Sequence, residues 1–421
     1  MPEALLGDPQ ARFAVDGAGS QVRRVAGVDV HEQLTGERTT RHARTPDRFV
    51  RQASEVARER KGVDAGPTSD GPSARRTVGA VSTPYDAVLL VSFGGPEGPD
   101  DVIPFLENVT SGRNIPRERL AVVAEQYDHF GGISPLNEQC RRQRAALEDE
   151  LARRGTALRV YWGNRNWSPY LTEAVQAMTD DGVERALAVF TSAYSSYSGC
   201  RQYRENLEAA RAAVPGAPRI DKVRAFYDHP GFIEPFAAET RAAIEELGDG
   251  AHLVFTAHSI PTSMAAGCDY EAQLREASRL VAERSGNPSW TLAWQSRSGP
   301  PHIPWLEPDV NDELRRLAAE GVDRTVIVPI GFVSDHMEIC WDLDVQAAET
   351  AASVGIELRR VAAPGTGPEP AFIAMWADLV EERIAAEAAP EGAVDIVRAA
   401  LGRLDVRPDV CREGCCPAPT R

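Results

Sequence analysis

Gly331-Phe332-Val333-Ser334-Asp335-His336-Met337-Glu338-Ile339-Cys340-Trp341-Asp342-Leu343-Asp344 is the stretch in which an apolar run opens directly into an acidic helix. Just upstream, Arg324–Ile330 (RTVIVPI) reads as a buried strand of a parallel sheet. Ser334 or Asp335 can cap the helix that follows, which delivers polar side chains to the carboxyl edge of that sheet, where open α/β folds bind ligands. On that helix Glu338, Asp342 and Glu349 share one face with Gln346 near it, while Ile339, Leu343 and Ala347 form a separate apolar stripe. A second apolar strand, His252–Ala257 (HLVFTA), runs into His258-Ser259-Ile260-Pro261 and places an imidazole at an equivalent edge. Taken singly, the acids read as a solvated helix face favoured by the dipole, and the histidine as a structural hydrogen-bonder. Together they point to a divalent-metal site or an acid–base pair.

From Asp86 onward short apolar runs alternate with amphipathic ones. Strands are expected at 87–93, 158–162, 186–191, 253–257, 291–295, 326–330 and 358–362, and helices at 135–153, 170–180, 202–213, 230–247, 270–285 and 336–353. This alternation implies βαβ crossovers and parallel sheets, an α/β fold. A Pro/Gly break at Val214–Arg219 divides residues 84–218 from residues 219–369, and the long helix Pro370–Ala389 is expected to cross back to the first half. Residues 1–83 scatter arginines among acids and are dense in Gly, Pro and Ser from Asp64 to Ser73, which reads as a disordered extension and not as a transit peptide.

The chain has 421 residues and a net charge of -16, which argues against nucleic acid or an anionic membrane surface as a partner. It has no apolar run long enough to span a bilayer and no signal-peptide core, so a cytoplasmic protein is expected. Phe93-Gly94-Gly95-Pro96 is a tight turn and not a nucleotide-binding glycine loop. Three of the seven cysteines, Cys411, Cys415 and Cys416, lie in a Pro-, Asp- and Arg-rich tail (residues 390–421) that cannot pack a core. In a reducing compartment that clustering favours a metal or cluster site, with a fourth ligand drawn from Cys140, Cys200, Cys268 or Cys340.

Phe255–Pro261 (FTAHSIP) and Gly331–Asp344 resemble the two signature blocks of ferrochelatases, which insert ferrous iron into a porphyrin. The resemblance continues through Leu89–Pro96 (LLVSFGGP), Gly131–Leu136 (GGISPL) and Trp294–Pro301 (WQSRSGPP), and covers roughly 85–389. It implies two Rossmann-like domains whose parallel sheets face a porphyrin cleft. It places His258 and Glu338 at the Fe²⁺ substrate as ligand or proton acceptor, with Asp342 beside them and His336 able to tune Glu338. Phe93, Arg113, Ser134 and Tyr203 are the implied porphyrin contacts, while an exposed loop charge, the N-cap of the helix starting near Pro135 and a core aromatic are the other readings of Arg113, Ser134 and Tyr203. Phe93 stands where some coproporphyrin-type members carry an iron-reaching tyrosine, and can only pack on the macrocycle. Cys200 matches the internal ligand of members with a [2Fe-2S] cluster, and joins Cys411, Cys415 and Cys416. Gly267-Cys268-Asp269-Tyr270 departs from the commoner Gly-Asp-x-Tyr. A cluster on a tail without a membrane anchor resembles the soluble actinobacterial type acting on coproporphyrin III. Protoporphyrin IX is the alternative substrate, and a porphyrin or iron carrier and a cobalt chelatase are the other classes weighed. The expected partners are the porphyrin and the neighbouring heme-pathway enzymes of a monomeric protein.

Overall fold

Continuous apolar runs build two parallel sheets that repeat one design. The computed structural model describes residues 83–112, 115–248, 250–299, 302–367, 369–389 and 396–418. Strands β1 (Ala87–Ser92), β2 (Arg159–Asn164), β3 (Arg185–Phe190) and β4 (Arg219–Lys222) pair in the order β2-β1-β3-β4. Strands β5 (His252–His258), β6 (Trp290–Gln295), β7 (Arg324–Val328) and β8 (Glu357–Arg360) pair in the order β6-β5-β7-β8. Every strand pairing is parallel. Each residue of β1 is buried, as helices on both faces of a parallel sheet require. In each sheet the connections reverse direction between the first and third strands in sequence. That reversal opens a crevice at the carboxyl ends of β1 and β3, and a second at those of β5 and β7.

Seven of the strands lie where the apolar runs place them. The eighth, Arg-Ile-Asp-Lys of β4, has no apolar run because it is a short edge strand that is only partly buried. It pairs with β3 from Arg185↔Arg219 to Ala188↔Lys222. The first sheet therefore extends past the boundary expected at 218/219, a correction that strand pairing makes and composition could not.

The two sheets share one apolar cluster, which takes in Val88, Leu90 and Val189 from the first and Leu253, Phe255 and Val326 from the second. The Pro370–Ala388 helix buries Phe372, Met375, Trp376 and Val380 in that cluster. It lies against both the Leu136–Arg153 and the Pro230–Leu247 helices. Arg154 fixes it to the first lobe, reaching Asp378 at 2.6 Å, Glu381 at 3.0 Å and the Ala374 carbonyl at 3.1 Å. The Leu136–Arg153 helix carries two glutamines in its buried stripe, and both cross to the second lobe. Gln139 Nε2 donates to the Asp335 carbonyl at 2.9 Å, and Gln143 Nε2 to Ser334 Oγ at 2.7 Å and to the Gly365 carbonyl at 2.5 Å. Among the described residues no helix is long and apolar enough to cross a membrane.

The described part of the C-terminal tail packs no core of its own but is strapped onto the body by polar contacts. Leu401 N donates to the Asp228 carbonyl at 2.9 Å, Arg403 N to Glu276 at 2.6 Å and Arg407 Nη1 to Asp269 at 2.6 Å, while Arg398 pairs with Asp409 at 2.5 Å within the tail itself. Arg224, whose side chain is 0 % exposed, grips Glu382 at 2.8 Å and the Ala399 carbonyl at 2.8 Å. Removing one partner of a buried pair leaves an uncompensated charge, so Arg224→Ala should cost roughly 3–5 kcal/mol in urea unfolding. Arg117→Ala breaks the exposed pair with Glu107 and should cost at most about 1 kcal/mol. Equal shifts in the two variants would contradict this reading of the strap.

Candidate functional site

At the crevice of the second sheet, Gly331 brings the chain that leaves β7 against the end of β5. A Cβ on Gly331 would lie 2.5 Å from Ala257 Cβ and 2.7 Å from Ala257 Cα, closer than packed atoms can come. Without one, Gly331 N donates to the Thr256 carbonyl at 3.0 Å. The chain leaving β7 therefore runs directly beside the end of β5. His258 and Glu338 meet there, with Nε2 and Oε1 3.8 Å apart, and both side chains are partly open to solvent.

The hydrogen bonds specify the imidazole's chemistry. His258 Nδ1 lies 2.5 Å from the Ser259 carbonyl oxygen, which can only accept. A proton therefore sits on Nδ1, and in the neutral ring the lone pair is on Nε2, the nitrogen that faces Glu338. His336 is arranged differently: its Nδ1 accepts from Glu338 N at 3.2 Å, which caps the short Met337–Ile339 turn, and its ring packs on Phe332. Burial, opposed by the charge of Glu338, holds the His336 imidazole below its ordinary value and keeps it the neutral acceptor this cap needs.

The expected single helix over 336–353 divides into an α turn at Met337–Ile339, a π-helical segment at Cys340–Ala347 and an α-helix at Ala348–Val354. Ile339, Leu343, Ala347 and Ala351 are all at most 1 % exposed, a strict every-fourth spacing. In an α-helix four residues over-rotate by about 40°, so such a stripe would drift off the core. The wider π turn cancels the drift, and this spacing was the signal in the sequence. Of the expected acidic ladder, Glu338 and Asp342 are brought together while Gln346 and Glu349 continue along the exposed surface.

Asp342 accepts from the Ser296 hydroxyl and lies 3.4 Å from Gln295 Nε2. Ser296 has φ +60°, a left-handed conformation unusual outside glycine, and it aims its hydroxyl at this carboxyl. Burial, reinforced by the charge of Glu338 and opposed by the Ser296 hydrogen bond, pushes the Asp342 carboxyl up to about 7. Ser296 lies within a quoted motif, yet nothing in its type marked it for this role.

The first lobe contributes an aromatic wall. Phe93, 37 % exposed, meets Phe105 edge-on at 6.4 Å, and Phe105 meets Tyr127 at 6.1 Å and Trp167 at 6.0 Å. Burial, and secondarily the charge of Glu338, hold the Tyr127 phenol well above its ordinary value, which places Tyr127 within the field of the site. His129 stacks edge-on against Trp341 at 5.7 Å, a contact between lobes. Two of the expected porphyrin contacts, Tyr203 and Ser134, are buried in the first lobe. Tyr203 is buried in the first-lobe core against Phe190, with the Arg165 guanidinium 4.4 Å over its ring. Ser134, 5 % exposed, packs where a Cβ on Gly95 would stand, so it seats the Phe93–Pro96 turn. Arg165 also lies 5.7 Å from the Phe93 ring and is the cation found at this wall. Arg113 lies outside the described residues.

A separate group of thiols forms at the carboxyl end of β3. Cys200, in the π-helical turn Tyr197–Arg201, donates to Cys411, and Cys411 bonds Cys415, whose Sγ is 3.5 Å from that of Cys416. The Cys200 hydrogen bond, then Lys222 and Arg204, hold the Cys411 thiol down at about 5 against its burial. Among the described residues no three His, Cys, Asp or Glu side chains surround a single metal-ion position.

The ferrochelatase family profile matches residues 85–384. The chain is 50 % identical over 358 residues to the coproporphyrin III ferrochelatase of Streptomyces griseus, covering 80 % of this chain and 94 % of that protein. It is 52 % identical over 308 residues to the coproporphyrin III ferrochelatase of Mycolicibacterium smegmatis, covering 71 % and 90 %. It is 51 % identical over 338 residues to the ferrochelatase of Rhodopirellula baltica, covering 79 % and 93 %. Among solved structures, SirB from Bacillus subtilis with Fe3+ aligns at TM-score 0.44 and 12 % identity, covering 74 % of this chain and 99 % of that one.

Because the folded Asp342 carboxyl keeps its proton up to about 7, against an ordinary value of 3.8, the native state binds an extra proton between those values. Stability should therefore fall as pH rises through that window, by linkage. Comparing urea midpoints between those pH values, Asp342→Asn should lose that part of the slope. Identical slopes in variant and parent would show that this carboxyl titrates normally.

Proposed function

The chain belongs to the ferrochelatase family, and on that premise we propose that it inserts ferrous iron into coproporphyrin III to give the iron porphyrin of heme synthesis. The observation that carries the reading is the pair of His258 Nε2 and Glu338 Oε1, 3.8 Å apart at the crevice of the second sheet.

Insertion requires a site that takes Fe²⁺ from solution, releases it to four pyrrole nitrogens, and accepts the two pyrrole protons that leave. Nitrogen and oxygen donors suit that loose hold better than thiolates. The Nε2 lone pair of His258 and the Glu338 carboxylate are open to solvent and to each other, so either can ligate the ion or accept a proton. Asp342 is the next acid along the helix. A carboxyl that titrates near 7 exchanges a proton readily at neutral pH, which suits it to carry one away from Glu338. Phe93 offers an apolar face to the macrocycle, and Arg165 beside it supplies a charge for a propionate at the rim. Four carboxylates on the substrate give Arg165 more partners than the two of protoporphyrin IX do.

We also propose that Cys200, Cys411, Cys415 and Cys416 hold a [2Fe-2S] cluster. Four contiguous thiols, one already favoured as a thiolate and flanked by Lys222 and Arg204, match the donor set and charge such a cluster needs. Insertion changes no oxidation state, so the cluster would secure the tail and have no part in the reaction. The cytoplasm, with neighbouring heme-pathway enzymes as transient partners, fits these free thiols.

Specificity constants for the two porphyrins test the substrate: coproporphyrin III should be favoured, and a clear preference for protoporphyrin IX would overturn the assignment. Glu338→Gln and His258→Ala should each abolish most metal insertion while porphyrin affinity, read by fluorescence quenching, survives. Near-normal turnover in either variant would remove that residue from the centre. Cys200→Ser should bleach the visible bands of anaerobically purified protein and lower its thermal midpoint. Wild-type protein lacking iron, labile sulfide and visible absorbance would rule the cluster out.

A further inference from the structure

His258 hangs from a peptide plane that is held at both ends. The Ser259 N–H donates to the Gln295 carbonyl at 2.8 Å, and the His258 carbonyl accepts from the Tyr270 hydroxyl at 3.1 Å. Since the imidazole is set by its own bond to the Ser259 carbonyl, any rotation of this plane moves Nε2 relative to Glu338. Tyr270 is 7 % exposed, with its ring packed against Tyr194 at 6.0 Å and Trp294 at 6.1 Å, so its hydroxyl has little freedom to find another partner.

Tyr270 begins the Tyr270–Ser285 helix, and the turn before it is gripped twice by the C-terminal strap. Arg407 Nη1 reaches Asp269 at 2.6 Å, and Pro417 lies so close on Gly267 that a Cβ there would come within 3.0 Å of its ring. Pro417 directly follows Cys415 and Cys416. One turn into the helix, Gln273 exchanges two hydrogen bonds with Ser195, at 2.8 and 3.1 Å, next to the segment that carries Cys200. The same short stretch, Gly267–Gln273, thus touches the tail, the thiol-bearing loop of the first lobe and the backbone of His258.

We infer that Tyr270 is a positioning residue for His258, and that the C-terminal strap, through Arg407 on Asp269 and Pro417 on Gly267, holds the turn from which Tyr270 acts. This rests on the reading of His258 as a metal-handling residue. It gives the departure Gly267-Cys268-Asp269-Tyr270 a place in the site: the acid of this turn is the strap's anchor, and its tyrosine reaches the histidine.

The test uses full-length protein and Co²⁺ alone, without porphyrin, with the His258-dependent part of binding defined by His258→Ala. Tyr270→Phe should weaken that part about fivefold, the worth of one hydrogen bond, and raise the KM for Fe²⁺ in similar measure. Porphyrin affinity and thermal midpoint should stay near the parent's. Arg407→Ala should show the same pattern more weakly, and Arg407→Lys should restore it. The ring-proton NMR signals of His258 should shift in Tyr270→Phe, a reading that needs no metal. Unchanged Co²⁺ binding, KM and ring signals in Tyr270→Phe would overturn the inference, as would a parallel loss of metal binding, porphyrin binding and thermal midpoint. Should the wild type bind Co²⁺ through His258 yet make no metalloporphyrin, the chelatase reading falls and the Tyr270 inference is decided on Co²⁺ and the ring signals.

Discussion

The backbone of Gly331 lies directly on Ala257, and the arrangement of the second lobe follows from that contact. Two parallel strands normally keep the chains leaving them apart, but here the absent Cβ and the bond from Gly331 N to the Thr256 carbonyl fold the exit of β7 over the end of β5. An imidazole that ends one strand and a carboxylate that begins the next helix then face each other at the point where the connections reverse direction. In open α/β sheets that point is a crevice whatever its chemistry. The residue types lining it, His258 and Glu338, are what the proposed metal insertion rests on.

That geometry is braced from the first lobe through the buried polar residues Ser334 and Asp335. Gln139 and Gln143 donate into it from the Leu136–Arg153 helix, while Asp335 accepts from the Ala363 N–H at 3.1 Å and pairs with Arg360 at 2.9 Å. Buried polar networks of this kind hold one arrangement because each alternative leaves groups unsatisfied. The π segment adds a second constraint. It keeps Ile339, Leu343 and Ala347 on the core, and thereby keeps Asp342 close to Glu338 and to Ser296.

The alternation of strand and helix and the two edges bearing His258 and Glu338 were legible in the sequence. Apolar runs and their polar terminators are local, and the inner strands of a parallel sheet are buried on both faces. The same holds for the tail thiols, whose company of Pro, Asp and Arg cannot form a core. Beta4 was invisible because an edge strand of charged residues has no hydrophobic signature, and its membership depends on β3 beside it. The burial of Tyr203 and Ser134 was not legible, because residue type cannot tell a cleft wall from the layer behind it. Only packing shows that Arg165 covers the one and that the Phe93–Pro96 turn encloses the other.

The sequence by itself determined the fold class, the family and the two polar residues, His258 and Glu338, that stand at the strand ends, since these are carried by periodicity and by local motifs. The tertiary structure alone decided the tautomer of His258, the raised carboxyl of Asp342, the brace from Gln139 and Gln143 and the grip of the tail on the Asp269–Tyr270 turn. Each of those depends on groups far apart in the chain that are brought within hydrogen-bonding distance, and a hydrogen bond is specified by distance and direction in space, which no local pattern of residues encodes.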